Sequence, residues 1–294
     1  SQRARIATGI RARGAIMKHL TSLAGALLAL QTAGMAVAHA ADPVGGHNSR
    51  DLVVCLADAN PPFSAADSRD GGINAEVARD IGRQLGREVR LSWVTIANRG
   101  GLGKALRQSI GAGTCDIFPG IPVSGASNED LVELRLQASE PYLTTGYALL
   151  KGSRSSVRNL DDARKATRVG VVTATPADLY LHQQHMHRVP YGNNGDLLAA
   201  LADGTVDAGL LWMPALANAR QGGLTLWPEA IREERLAVSG LETRFVIALR
   251  QGQPDLKSSV DAALARMQGD GALAQILERH GMARSSNTLS RANP

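Results

Sequence analysis

Aromatic residues are scarce in this 294-residue chain, at 3% of the total, so an aromatic side chain placed at a strand end stands out. The first forty residues hold no acid. Their charge comes from Arg3, Arg5, Arg11, Arg13 and Lys18. Those five account for the formal net charge of +5, because the remaining 27 basic residues balance 27 acids. A neutral remainder argues against nucleic acid as a partner. No apolar run beyond the leader approaches the length of a membrane span. Also missing are a P-loop, a dinucleotide fingerprint, a metalloprotease His-Glu motif and a G-x-S-x-G elbow. Asp58 and Asp116 stand near strand ends, where an Asp is often a turn or cap residue. No catalytic constellation forms, and the chain reads as a binding protein, not an enzyme, with no cofactor.

The leader occupies residues 1–40. Met17-Lys18-His19 is a short basic start, Leu20 to Leu30 a Leu/Ala-rich core, and Ala38-His39-Ala40 an A-x-A cleavage site. Gln31, Thr32 and Gly34 break the apolar stretch before it reaches spanning length. This predicts a secreted, periplasmic protein with no membrane insertion after cleavage. No Cys follows the apolar core, which argues against a lipid anchor. Residues 1–16 read either as an upstream extension or as a long basic region. The two cysteines, Cys55 and Cys115, fall in predicted neighbouring strands. In an oxidising compartment they are expected to pair; two buried free thiols are the alternative.

What is present is an α/β grammar. Asp51 to Asp58 is a continuous apolar run, read as a buried strand. It breaks at Ala59-Asn60-Pro61-Pro62-Phe63-Ser64, where two prolines remove donors and present Phe63 at the strand's carboxyl end. Ile73 to Leu85 has helical spacing and ends at Gly86. Val89 to Ile96 alternates as a strand, and Leu102 to Ile110 is a second helix. Gly113-Thr114-Cys115-Asp116 then opens a strand that closes at Pro119-Gly120-Ile121-Pro122. About ninety residues later Gly204-Thr205-Val206-Asp207 repeats the pattern and ends at Trp212-Met213-Pro214. Two such units predict two lobes, with ligands meeting the carboxyl ends of the strands.

Between them, Leu131 to Ala138 carries alternating apolar positions, and residues 140–150 make a first crossing. In the second lobe Val169 to Val172 is a strand. Thr175-Pro176 opens a helix whose N-terminus could hold an anion or simply be capped. Asp196 to Ala202 is a helix, Leu224 to Trp227 a short strand, and Thr243 to Arg250 the crossing back. The helices Asp255 to Met267 and Gly271 to His280 should return to the first lobe. His182, His185 and His187 lie close together, but no Cys or acid completes a set, and no metal is expected.

These pieces, in this order over about residues 50–283, resemble the type-II, two-lobed periplasmic solute-binding proteins of family 3. The resemblance implies an α/β fold of two lobes, each a mostly parallel sheet flanked by helices, joined by two crossover strands. Lobe one is expected over 50–142 plus 246–284, and lobe two over 147–242. Amino-acid binders of this family usually carry an Arg after the lobe-one strand to clamp an α-carboxylate; Gly120 to Asn128 has none. They also usually carry an Asp at the end of the second Gly-x-Val-Asp strand to hold an α-ammonium; here Leu211-Trp212-Met213-Pro214 stands instead. Zwitterion binding thereby loses its main contacts.

Those departures resemble a subgroup, the accessory proteins of PQQ-dependent quinoprotein methanol and alcohol dehydrogenases. It matches in Val54 to Ser64, in Ala112 to Asp116 with Gly120-Ile121-Pro122, in Trp212 to Pro214, and in the paired cysteines. The first functional expectation is therefore an accessory to such a dehydrogenase. The alternative is the substrate-binding component of an ABC importer for a small non-zwitterionic solute, with a permease as partner. The expected cleft residues are Asp58, Asn60, Phe63, Arg99, Ile121, Pro122, Tyr142, Thr173, Thr175 and Trp212. Phe63 and Trp212 would be apolar walls, and Asp58, Arg99 and Thr175 polar contacts.

Overall fold

The computed structural model describes residues 51–97, 99–123, 127–165, 168–221, 229–231 and 240–282. The expected leader and the expected strand at 224–227 lie outside them. Strand β1 (Asp51–Ala57) is apolar throughout because both its faces are covered. Leu52, Val54 and Leu56 enter one core cluster and Val53 and Cys55 another. The short strands β2 (Ala59–Asn60) and β3 (Ser64–Ala65) pair across the Pro61-Pro62 turn. Helix α1 (Ile73–Leu85) runs as the spacing predicts and stops at Gly86, whose φ of 65° is a left-handed C-cap. Strand β4 (Glu88–Val94) pairs parallel with β1. Helix α2 (Gly101–Gln108) and a 3-10 turn (Ile110–Ala112) lead to β5 (Ile117–Val123). Cys55 and Cys115 are disulfide-bonded, which ties β1 to the entry of β5.

The alternating run after Asn128 divides in two. The Asn128 side chain accepts hydrogen bonds from the Asp130 and Leu131 amides and so caps a short helix, α3 (Glu129–Glu133). Only then does β6 (Leu136–Ala138) begin. Strand β7 (Leu143–Lys151) is the first crossing. The second lobe continues with α4 (Leu160–Lys165), β8 (Val169–Val172), α5 (Pro176–Gln183), β9 (Arg188–Tyr191), α6 (Asn194–Asp203) and β10 (Ala208–Trp212). The chain does not turn away at Trp212: α7 (Met213–Gln221) starts at the next residue. Pro214 sits in its first turn, where a missing N–H costs nothing. Strand β11 (Glu229–Ile231), the return crossing β12 (Glu242–Arg250), α8 (Pro254–Gly269) and α9 (Ala272–Arg279) complete the described chain.

The ten strands of the main sheet run β4-β1-β5-β12-β7-β10-β8-β9, with β6 beside β12 and β11 beside β7. Within each lobe the wound strands are parallel, β1 with β4 and β5, and β8 with β9 and β10. The crossings are antiparallel, and they pair with each other from Glu242↔Gly146 to Phe245↔Leu143. At Gly146 a Cβ would lie 2.4 Å from the Leu241 carbonyl oxygen, so the crossings approach there as only glycine permits. Each lobe is sandwiched between two clusters. In lobe one, α1, α8 and α9 cover one face, and α2 and α3 bound the other. In lobe two, α4 and α5 cover one face and α6 and α7 the other.

Candidate functional site

The loops at the carboxyl ends of β1 and β10 face each other across a cleft of about 410 Å³. Lobe one contributes Asn60 and Phe63, and lobe two contributes Asn194, Leu198, Trp212 and Asn218. That volume lies within the usual range of small-molecule sites. Among the described residues, no side chain lining this cleft is charged. Three amides, each both donor and acceptor, supply its directional polarity.

Phe63 is 4% exposed and packs on Phe245 with ring centroids 4.7 Å apart. The crossing strand β12 thus backs the lobe-one wall. Trp212 is half-buried at the last position of β10. Its ring lies 5.2 Å from that of Tyr147, its antiparallel partner on β7, and it also packs against the lobe-one core. Trp212 therefore touches both lobes. Burial pushes the Tyr147 phenol above its ordinary range, opposed by a hydrogen bond with the Thr175 side chain.

Of the ten expected residues, Asn60, Phe63 and Trp212 line this cleft together. The other seven are not among the residues that line it. Ile121 is 0% exposed, inside the cluster under α2 and α3. The reason is a bulge. Between Val246↔Ile121 and Ile247↔Pro119 the register skips Gly120, whose φ is 88°. One extra residue reverses the alternation of β5 and turns Ile121 inward with Phe118 and Val123. Tyr142 is also buried, at 3% exposure, and its hydroxyl donates to Asn74 Oδ1 at 2.6 Å. Pro122 is half-buried, and its carbonyl accepts from Asn128 Nδ2 at 2.8 Å.

Asp58 follows β1, half-buried, and accepts a hydrogen bond from the Thr95 hydroxyl. Arg99 is exposed in the turn before α2. Thr173 is exposed and donates to the Tyr191 carbonyl at 3.2 Å. Thr175 donates to the Val172 carbonyl at 2.7 Å and accepts from the Asp178 amide at 3.2 Å. Asp178 in turn accepts from the Ala174 amide and pairs with Arg188 at 2.6 Å. The start of α5 therefore carries its own cap and its own negative charge, and ordinary capping is what the geometry displays. His182 contacts Arg188 at 3.2 Å.

Asn194, Leu198 and Asn218, which line the cleft, and Tyr147, which packs on Trp212, were not expected there. Asn193-Asn194-Gly195 is a legible helix start, since Asn193 caps through the Asp196 amide. It gives no sign of facing the other lobe. Asn218 lies on α7, a helix with no capping signal in the sequence. Tyr147 could have been found from the register that sets it opposite Trp212.

Comparison with known proteins follows the fold. The L-cystine-binding protein TcyJ of Escherichia coli strain K12 is 26% identical over 273 residues, covering 88% of this chain and 94% of TcyJ. The L-cystine solute receptor of Neisseria gonorrhoeae, in its unliganded open conformation, matches with a TM-score of 0.62 at 17% identity, covering 79% of this chain and 93% of that one. MxaJ from Methlophaga aminisulfidivorans MPT matches with a TM-score of 0.57 at 18% identity, covering 78% and 98%. No described helix is long and apolar enough to cross a membrane. The family model of the bacterial extracellular solute-binding proteins, family 3, matches residues 52–283, and the chain belongs to that family.

Proposed function

We propose that this chain is the periplasmic substrate-binding component of an ABC importer and that its solute is small and not a zwitterion. The observation that carries the reading is the cleft wall, uncharged among the described residues: Asn60, Phe63, Asn194, Trp212 and Asn218 offer amides and rings, and none of the described lining residues is a cation for a carboxylate or an anion for an ammonium. A bound α-amino acid would leave two charges without charged partners in a partly desolvated cleft. Family membership and a full-length cystine-binding relative support the importer role. The accessory role beside a quinoprotein dehydrogenase stands second. It rests on the motifs at Val54 to Ser64 and Trp212 to Pro214.

The test is a thermal-shift screen of the mature protein against uncharged solutes and α-amino acids, followed by calorimetry of the hits. An uncharged solute should raise the melting temperature, and Trp212→Ala should weaken its binding about tenfold or more by removing an aromatic wall. L-Cystine binding, lost in Trp212→Ala, would keep the importer and remove the non-zwitterionic solute. Co-elution of a dehydrogenase subunit from the native periplasm, with no solute retained, would restore the accessory role.

A further inference from the structure

On lobe one, away from the cleft, the loop before α1, the first turn of α1 and the end of α9 bring Asp70, Glu76 and His280 together. His280 is 3% exposed, with Nε2 2.7 Å from Glu76 Oε1 and 3.9 Å from Asp70 Oδ2. The three potential ligand atoms all lie within 4.8 Å of one another. Each carboxylate is steadied from outside through its other oxygen. Asp70 Oδ1 accepts from the Ser68 hydroxyl at 2.7 Å and the Gly72 amide at 2.9 Å. Glu76 Oε2 accepts from Arg279. The oxygens turned to the imidazole are Asp70 Oδ2 and Glu76 Oε1.

We propose that Asp70, Glu76 and His280 form a binding site for a divalent transition metal, best matched to Zn²⁺. One imidazole nitrogen and two carboxylate oxygens suit zinc and its neighbours; an all-oxygen set would suit calcium or magnesium. Zinc–ligand bonds of about 2.0–2.2 Å in a tetrahedron separate neighbouring ligand atoms by about 3.4 Å. The His280–Glu76 hydrogen bond must open by less than about 1 Å to admit the ion, which side-chain rotation supplies. The outer hydrogen bonds to Ser68, Gly72 and Arg279 play the part that supporting partners play around metal ligands. The carbonyl end of α9 adds negative potential. Arg279 opposes it, as does Arg79, which donates to the Asp70 carbonyl, so the site should bind in the micromolar range. The metal would fasten the last described helix to α1.

The experiment uses untagged full-length protein, stripped with chelator and dialysed, then titrated with Zn²⁺ and, separately, Mg²⁺. Bound metal is measured by elemental analysis and stability by thermal shift. The expected result is one saturable zinc per chain with a rise in melting temperature, and no response to magnesium. Asp70→Asn, at an exposed position, and Glu76→Gln should each weaken binding about tenfold or more. His182→Ala with His185→Ala should leave it unchanged. No saturable zinc, or zinc binding that survives Asp70→Asn and falls with the His182/His185 pair, would overturn the site. In either case the three residues would be a hydrogen-bonded cluster and nothing more.

Discussion

Tyr142 stands just before the first crossing, its amide bonded to the Phe245 carbonyl of the second, and its hydroxyl is used twice: it donates to Asn74 Oδ1 at 2.6 Å and accepts from the Gly120 backbone. Burial drives its phenol well above the ordinary tyrosine range, opposed only in part by the Gly120 hydrogen bond. The neutral form is therefore the folded form. An unfolded tyrosine ionises near pH ~10, so the stability present below that pH is lost as the pH rises past it. Tyr142→Phe leaves both partners facing a ring edge, and should cost roughly 1–3 kcal/mol in urea unfolding at neutral pH. It should also flatten the alkaline loss of stability. An unchanged alkaline limb would mean that Tyr147 and Tyr191, both raised by burial first, carry it instead. The Pro141-Tyr142 pair is legible as the start of a crossing. The inward turn of Tyr142 is not, because it depends on Gly120 bulging toward Asn74, where an added Cβ would lie 2.4 Å from the amide nitrogen.

Among the elements, α1 was the most legible. Its apolar spacing and Gly86 mark its face and its end, and the helix fills that interval. Its face is also the tightest. A Cβ on Gly82 would fall 2.2 Å from Val89 Cγ2 and 3.0 Å from the Arg87 carbonyl oxygen. Two effects therefore compete in Gly82→Ala. Helix propensity favours alanine by about 1 kcal/mol, while overpacking a buried contact costs roughly 1–3 kcal/mol. Because one clashing neighbour is backbone and cannot rotate away, overpacking should win. The variant should be less stable by up to about 2 kcal/mol by chemical denaturation, and a gain in stability would show that β4 slides freely on α1. Helix α7 is the opposite case. Neither Trp212 nor Met213 is a capping residue, Pro214 reads as a stop, and the helix forms because Leu216 and Ala217 have a core to enter. Half of the lobe-two wall was hidden with it, since Asn218 reaches the cleft only from that helix.

At the scale of the whole molecule, one sheet runs through both lobes by way of β7 and β12. The two-lobed plan was legible because it is written as a repeated strand-and-turn pattern. The cleft wall was legible at Asn60 and Phe63, in the proline-broken loop after β1, and at Trp212, where an aromatic ends β10. Lobe one carries the single covalent tie, Cys55 to Cys115, across 60 residues of sequence. Breaking it should not disturb the native geometry, because the adjacent Asp116 already holds the junction. Its carboxylate accepts from the Val53 amide at 2.9 Å and pairs with Arg87 at 3.4 Å. The cost of losing the bond then falls on the unfolded chain, which regains the freedom of a long loop worth roughly 4 kcal/mol in the chain-entropy model. Domains of this kind are stable by about 5–15 kcal/mol, so that is a large share. Cys55→Ala with Cys115→Ala should lower unfolding stability by roughly that amount. Ligand affinity should stay unchanged, since both cysteines are 0% exposed and neither lines the cleft. Intact mass before and after alkylation checks the premise: two reactive thiols in the unreduced wild-type protein would remove it, and a change in affinity at constant fold would show that the tie also sets the position of the β1 loop.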